Sequence, residues 1–177
     1  VLGYMELIER TGPLNESQHE FLGRLQASVH HMTGLVNELL DLSRIESGAI
    51  TLNPELVELS ALVAESASLL RTRTEPAEVR IACESDPIAV EADRASLLRV
   101  VSNLLDNATK WSPRGSTVRV WMRDEGEVVA LCVQDEGPGI PDQDLARVFE
   151  RFYKGEASRS AAGVGLGLAI VKHLVRA

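Results

Sequence analysis

The chain has 177 residues, 45% hydrophobic and 25% charged, the composition of a soluble globular protein of one ordinary or two small domains. A formal net charge of −8, with no Lys/Arg cluster set against it, argues against nucleic acid or another polyanion as partner. No apolar run approaches the roughly 20 residues that span a bilayer and no signal peptide is evident, so no membrane contact is expected of this segment.

The first 48 residues are helical in pattern. Val1, Met5 and Ile8 make the end of one amphipathic helix; Thr11-Gly12-Pro13-Leu14-Asn15 breaks it, and Asn15 or Ser17 can cap the next. From Leu22 the apolar positions run Leu22, Leu25, Val29, Met32, Val36 and Leu39, alternating spacings of three and four, with Leu42 and Ile45 slightly out of phase. This is a bundle seam. Two antiparallel helices of this kind present an apolar stripe too wide to cover alone, and pairing two copies into a four-helix bundle covers it. A homodimer through residues 1–48 is therefore expected.

Gly48 is expected to end the long helix, with a domain boundary near 48–53. Short β-like runs follow at 51–57, 79–83, 117–122 and 128–133, the last two alternating in polarity around the turn Asp124-Glu125-Gly126-Glu127. Helical runs lie at 59–72, 93–109, 142–149 and 165–176. Strands and helices mix without regular βαβ alternation, which favours an α+β sandwich over a doubly wound sheet for a second domain, residues 54–177. Cys83 and Cys132 lie in strand-like apolar runs without CxxC spacing and are expected to be buried free thiols of a reducing, cytoplasmic setting. The chain opens on Val1 in mid-pattern and closes on Ala177 inside a helical one, as a piece of a longer polypeptide would.

Three motifs in this second half carry chemistry. In SNLLDNATKWSP, residues 102–113, Asn103 and Asn107 are four apart on a helix and share a face with Lys110, while Leu104, Leu105 and Ala108 turn to the core. A neutral amide oxygen can join the oxygen shell of Mg²⁺, and a lysine beside it suits the phosphates that complete that shell. By itself the spacing also describes an exposed polar helix face. In DEGPGIP, residues 135–141, Gly137 and Gly139 let the backbone approach a flat ligand, and Asp135 at a strand end can accept from an exocyclic amine such as that of adenine; alone, it reads equally as a tight turn. In GVGLGL, residues 163–168, glycine amides open the last helix and form an anion site, although a plain flexible loop has the same look. It is neither a Rossmann fingerprint nor a P-loop, because no strand precedes it and no Gly-Lys-Ser/Thr closes it.

Taken together and in this order, the motifs resemble the N, G1 and G2 boxes of the sensor histidine kinases, within the wider superfamily of Bergerat-fold ATPases. VFERFYKG, residues 148–155, resembles that family's F box, and LLDLSRIESG, residues 39–48, looks like the end of the second helix of its dimerisation and histidine-phosphotransfer domain. The resemblance covers nearly the whole chain. It implies a dimeric helical bundle followed by an α/β sandwich of the Bergerat type that binds ATP with Mg²⁺. Asn107 would be the metal ligand and Asn103 a second polar contact to metal or phosphate; Lys110 would meet phosphate. Trp111, where the family usually has tyrosine or phenylalanine, would line the adenine. Asp135 would take the adenine amino group, with Gly137, Gly139 and Ile140 shaping that wall. Lys154 stands where arginine often reaches the terminal phosphates, and residues 154–162 would form a lid. Gly163, Val164, Gly165, Leu166, Gly167 and Leu168 would wrap the phosphates, with Val164 replacing a frequent Ser or Thr so that only backbone amides serve there.

Related hydrolases of the superfamily carry a glutamate where this chain has Asn103, and an amide cannot act as a general base. ATP would therefore be held for a nucleophile from outside the pocket. In the family that nucleophile is a histidine in a His-Glu-Leu-Arg-Thr-Pro type motif, which would lie before Val1. The triplet His19-Glu20-Phe21 lacks the Arg-Thr-Pro continuation and sits near the start of the second helix, so His19 is expected to be a solvent-facing helix residue. The resemblance also implies a Gly-rich turn and closing hairpin after residue 177. The function implied is an ATP-dependent protein histidine kinase core relaying phosphate to a response regulator aspartate, with this segment not autophosphorylating. An anti-sigma-factor type serine kinase and a nucleotide-binding dimerisation scaffold are the competing readings.

Overall fold

The computed structural model describes residues 2–46, 51–73, 79–84, 86–156 and 163–177. The chain divides into two compact units, Val1–Ser47 and Gly48–Ala177. The expected helix end at Gly48 lies outside the described residues.

In the first unit, α1 (Leu2–Thr11) packs against α2 (Glu16–Glu46). Asn15 caps α2 through a reciprocal pair: its Oδ1 accepts from the Gln18 amide at 2.9 Å, and its own amide donates to Gln18 Oε1 at 2.9 Å. This capping box satisfies two backbone donors and fixes where the helix starts. Met5 and Leu22 are buried, whereas Leu25, Met32, Val36 and Leu39 are each more than half exposed. Within one chain, then, most of the seam beyond Leu22 stays on the surface, with Val29 half-buried.

In the second unit, β1 (Pro54–Glu58) leads into α3 (Leu59–Arg73), followed by β2 (Arg80–Cys83), β3 (Ala89–Asp93), α4 (Arg94–Trp111), β4 (Thr117–Asp124), β5 (Val129–Gln134), α5 (Asp142–Leu145) and α6 (Gly167–Arg176). β1 pairs antiparallel with β3, Val57 opposite Val90. β4 runs between β2, parallel to it, and β5, antiparallel to it. Alternation along β4 decides the layering: Val118, Val120 and Met122 are buried against Leu62, Val63, Leu70, Val101 and Leu105, while Arg119 and Arg123 face outward. Helices layered on a sheet are the α+β arrangement expected from the pattern, and the mixing of parallel and antiparallel pairing is seen only in the structure. Carboxylates start both long helices. Glu58 accepts from the Ser60 and Ala61 amides at α3, at 2.8 and 2.9 Å, and Asp93 caps α4 by accepting from the Ser96 amide at 2.8 Å.

Several sequence expectations are corrected. β3 has no strand signal in the sequence, because AVEAD is short, carries two acids in five residues and runs straight into α4 at its capping Asp93. The first strand begins at Pro54 rather than residue 51. The helix expected over 142–149 is only α5; turns follow it to Phe152, whose φ of 59° no α-helix accommodates. α6 starts at Gly167 rather than residue 165, because Gly165 has a φ of 79°. Cys83, the last residue of β2, is exposed and Cys132 is half-buried; both are free thiols but neither is a buried one.

Candidate functional site

α4 is the platform. Val101, Leu105 and Ala108 sink into the core, Leu105 with 0% of its surface exposed, which turns the opposite face of the helix outward. That face carries Asn103 and Asn107, both half-buried, and Lys110, whose residue surface is largely exposed. At the last turn, Trp111 donates its indole N–H to Asn107 Oδ1 at 3.1 Å. The Lys110 ammonium lies 5.4 Å from the centroid of the same ring.

The two glycine loops approach this helix from different points. A Cβ at Gly137 would fall 2.8 Å from the Trp111 carbonyl oxygen and 2.7 Å from Asp135 Oδ1, so the DEGPG loop touches the end of α4 as only a glycine allows. Asp135 is exposed and accepts from the Gly137 amide at 2.8 Å; the next side chain, Glu136, accepts from the Thr117 amide at 3.2 Å and ties the loop back to β4. Gly139 and Ile140 lie exposed beyond them. Ser112 Oγ, adjoining this contact, is buried without a hydrogen-bond partner among the described residues.

The second loop meets the same helix further back. A Cβ at Gly163 would lie 3.6 Å from Lys110 Nζ, and one at Gly167 would lie 3.2 Å from Asn103 Oδ1. Gly165 is the tightest point: its Cβ would stand 2.6 Å from the Tyr153 carbonyl oxygen, and its own carbonyl accepts from the Phe152 amide at 3.0 Å. The loop is thus locked to the VFERFYKG segment. Leu166 is 1% exposed and anchors the loop in the core, so it can offer a ligand only its backbone; Val164 and Leu168 are half-buried. Tyr153 donates to Asp144 Oδ1 at 2.7 Å under the Arg147 guanidinium, 4.2 Å from the ring centroid, and the hydrogen bond to Asp144 raises the phenol pKa. The spacing of these two contacts was not legible in the sequence, because they close a turn rather than a helix. Of the expected lid, residues 157–162 lie outside the described residues.

Charge converges here as well. Burial depresses the Lys110 pKa, and the nearby Lys154 ammonium depresses it further against an opposing pull from Asp106. Two cations held together beside glycine amides suit a polyanion. Among the described residues no cluster of three or more His, Cys, Asp or Glu could hold a metal ion. A divalent cation at this face would therefore rest on amide oxygens and on the ligand's own phosphates, as Mg²⁺ does. The glycine cradles that a Cβ would fill and the amide–lysine donor set fit a magnesium-bound nucleotide.

Residues 92–177 match the family model described as histidine kinase-, DNA gyrase B- and HSP90-like ATPase, and residues 1–48 match the His Kinase A (phospho-acceptor) domain. A solved structure of a mycobacterial sensor histidine kinase, MprB, is 38% identical, with a TM-score of 0.60 over 70% of this chain and 79% of that one. The chain belongs to the sensor histidine kinases. The crystal structure of full-length ShkA in complex with AMPPNP is similar over 99% of this chain and 37% of that one, at 31% identity and a TM-score of 0.82. The signal transduction histidine-protein kinase/phosphatase MprB of Mycolicibacterium paratuberculosis is 42% identical over 150 residues, 84% of this chain. The chain spans 28% of the length of that relative. Among the described residues no helix is long and apolar enough to cross a membrane.

Proposed function

We propose that this chain is the ATP-binding kinase core of a cytoplasmic histidine kinase module: it binds Mg·ATP on the outer face of α4 and presents the γ-phosphate to a histidine, for relay to a receiver-domain aspartate. The single observation that carries the reading is convergence. Two separated motifs, 135–141 and 163–168, meet the helix that carries the third, 102–113, through Gly137 with Trp111, Gly163 with Lys110, and Gly167 with Asn103. Asn107 Oδ1 and Asn103 are the side chains that would hold the metal, which when bound neutralises charge on the phosphate oxygens. Lys110 and Lys154 draw the phosphates, the 163–168 amides wrap them, and Asp135 with the Gly137–Ile140 wall takes the base. Asn103 supplies no base for water, so this face positions ATP rather than hydrolysing it. The match of residues 1–48 to a phospho-acceptor domain supports histidine over serine as the acceptor class. The same helices supply the homodimer.

Calorimetry with a non-hydrolysable ATP analogue tests the site. Asn107→Ala is expected to lose the Mg²⁺-dependent part of the affinity and Asp135→Ala the part that discriminates adenine from other bases. Wild-type affinity in both variants would sink the assignment.

A further inference from the structure

We propose that Trp111 is the positioning residue for Asn107, its indole N–H fixing which end of the Asn107 amide is offered to the nucleotide-bound cation; this rests on the nucleotide reading above. A primary amide has one acceptor end and one donor end of nearly the same shape, and only the oxygen end can ligate a metal. Left to itself on a helix surface, such an amide samples both. The indole nitrogen can only donate, so its 3.1 Å contact selects the oxygen end. The carbonyl oxygen has two lone pairs; the indole takes one and leaves the other for the cation.

The ring that does this is itself held. Trp111 is the last residue of α4, four residues and one turn beyond Asn107, with its backbone carbonyl against Gly137 and the Lys110 ammonium 5.4 Å from its centroid. Swinging the indole away would disturb the contact with the lysine that meets phosphate. Neither ring that the resemblance leads one to expect here replaces this contact. Phenylalanine has no donor, and tyrosine carries its hydroxyl at the far end of the ring. In this chain the adenine-side aromatic and the metal-side amide are therefore one hydrogen-bonded unit, and metal affinity is set partly by a residue that does not touch the metal.

The test compares the affinity of a non-hydrolysable ATP analogue in Mg²⁺ with that in EDTA, for wild type, Trp111→Phe and Asn107→Ala. The ratio cancels whatever the ring contributes to base stacking. Trp111→Phe is expected to lower the ratio by about tenfold, the scale on which groups behind a metal ligand act. Should the variant fold poorly, ¹⁵N-indole spectra of the wild-type chain carry the same test, with Trp121 as internal reference. The Trp111 indole N–H resonance should keep its hydrogen-bonded position when Mg²⁺ is added to the nucleotide complex. A ratio unchanged or raised in Trp111→Phe but abolished in Asn107→Ala would overturn the inference and leave the nucleotide site standing, as would an indole resonance that Mg²⁺ drives to a free position. A ratio untouched by Asn107→Ala would bring down the site assignment and the inference with it.

Discussion

Lys110 sits where a cation is most useful and least comfortable. Partial burial and the Lys154 charge both favour its neutral form, so its pKa lies below the ordinary lysine value of 10.5. Phosphate affinity is therefore expected to be full while Lys110 is protonated and to be lost as pH rises through the depressed pKa, earlier than for a surface lysine. Affinity for the Mg·ATP analogue measured from neutral to alkaline pH is expected to fall in wild type and to hold in Lys110→Arg, whose guanidinium stays charged. An identical alkaline loss in both would exclude Lys110 as its source. His19 belongs to the first unit. It is exposed in the first turns of α2, its Nδ1 3.4 Å from the Asn15 carbonyl oxygen. His19→Gln is expected to leave incorporation from γ-labelled ATP unchanged; loss of label on that substitution alone would make His19 a phosphoacceptor.

The element that matters most is α4, because a single helix carries the amides proposed for the metal, the lysine proposed for phosphate and the aromatic ring bonded to Asn107. Asp93 fixes where it begins: Oδ1 accepts from the Ser96 amide and Oδ2 from the Asn53 amide at 3.1 Å, and these bonds, the Ser96 one foremost, lower the Asp93 pKa. A carboxylate with a depressed folded pKa contributes stability that is complete above its unfolded pKa and lost as pH falls through the folded one. Asp93→Ala is expected to cost about 1 kcal/mol at neutral pH, as cap removals do, and to lower Tm by a few degrees. The gap between wild type and variant should close in acid. A gap constant across the pH range would mean that the carboxylate charge contributes nothing to the cap. The same helix shows how far local pattern reaches. Its amphipathic spacing, its outward amides and its inward Leu105 and Ala108 were legible in the residues, since side-chain direction in a helix follows from sequence spacing alone, whereas Leu104, expected in the core with them, is only half-buried. The Trp111–Asn107 bond was legible too in principle, being an i,i+4 donor–acceptor pair.

At the scale of the whole molecule, the surface of the first unit is the feature a single chain leaves unresolved. Leu25, Met32, Val36 and Leu39 lie along one three-four stripe of α2, each more than half exposed, in a unit where Met5 and Leu22 are already buried. Pairing with a second copy would cover that stripe. Light scattering is expected to report a dimer for the wild-type chain and a monomer for the Leu25→Lys, Met32→Lys double variant, because each buried ammonium in such a seam would cost on the order of several kcal/mol. A monomeric wild type would count against the bundle.

What the sequence determined by itself is whatever depends on local spacing and side-chain chemistry. The helix faces, the β4–β5 hairpin turn around Gly126, a cap at Asn15 or Ser17 and the family resemblance all belong here, because their information lies within a few residues of each other. What only the tertiary structure decided depends on residues far apart in the chain. AVEAD becomes a strand because 54–58 is there to pair with it. The segment after Leu145 leaves the helix because Phe152 and Tyr153 are needed against Gly165, with Tyr153 bonded back to Asp144. Cys83 is exposed because its strand ends there, which no count of apolar neighbours in sequence reveals. Which glycines must be glycines was likewise settled in space: Gly137 by the carbonyl of Trp111 and Gly165 by that of Tyr153, since a missing Cβ matters only where another part of the chain comes to occupy its place.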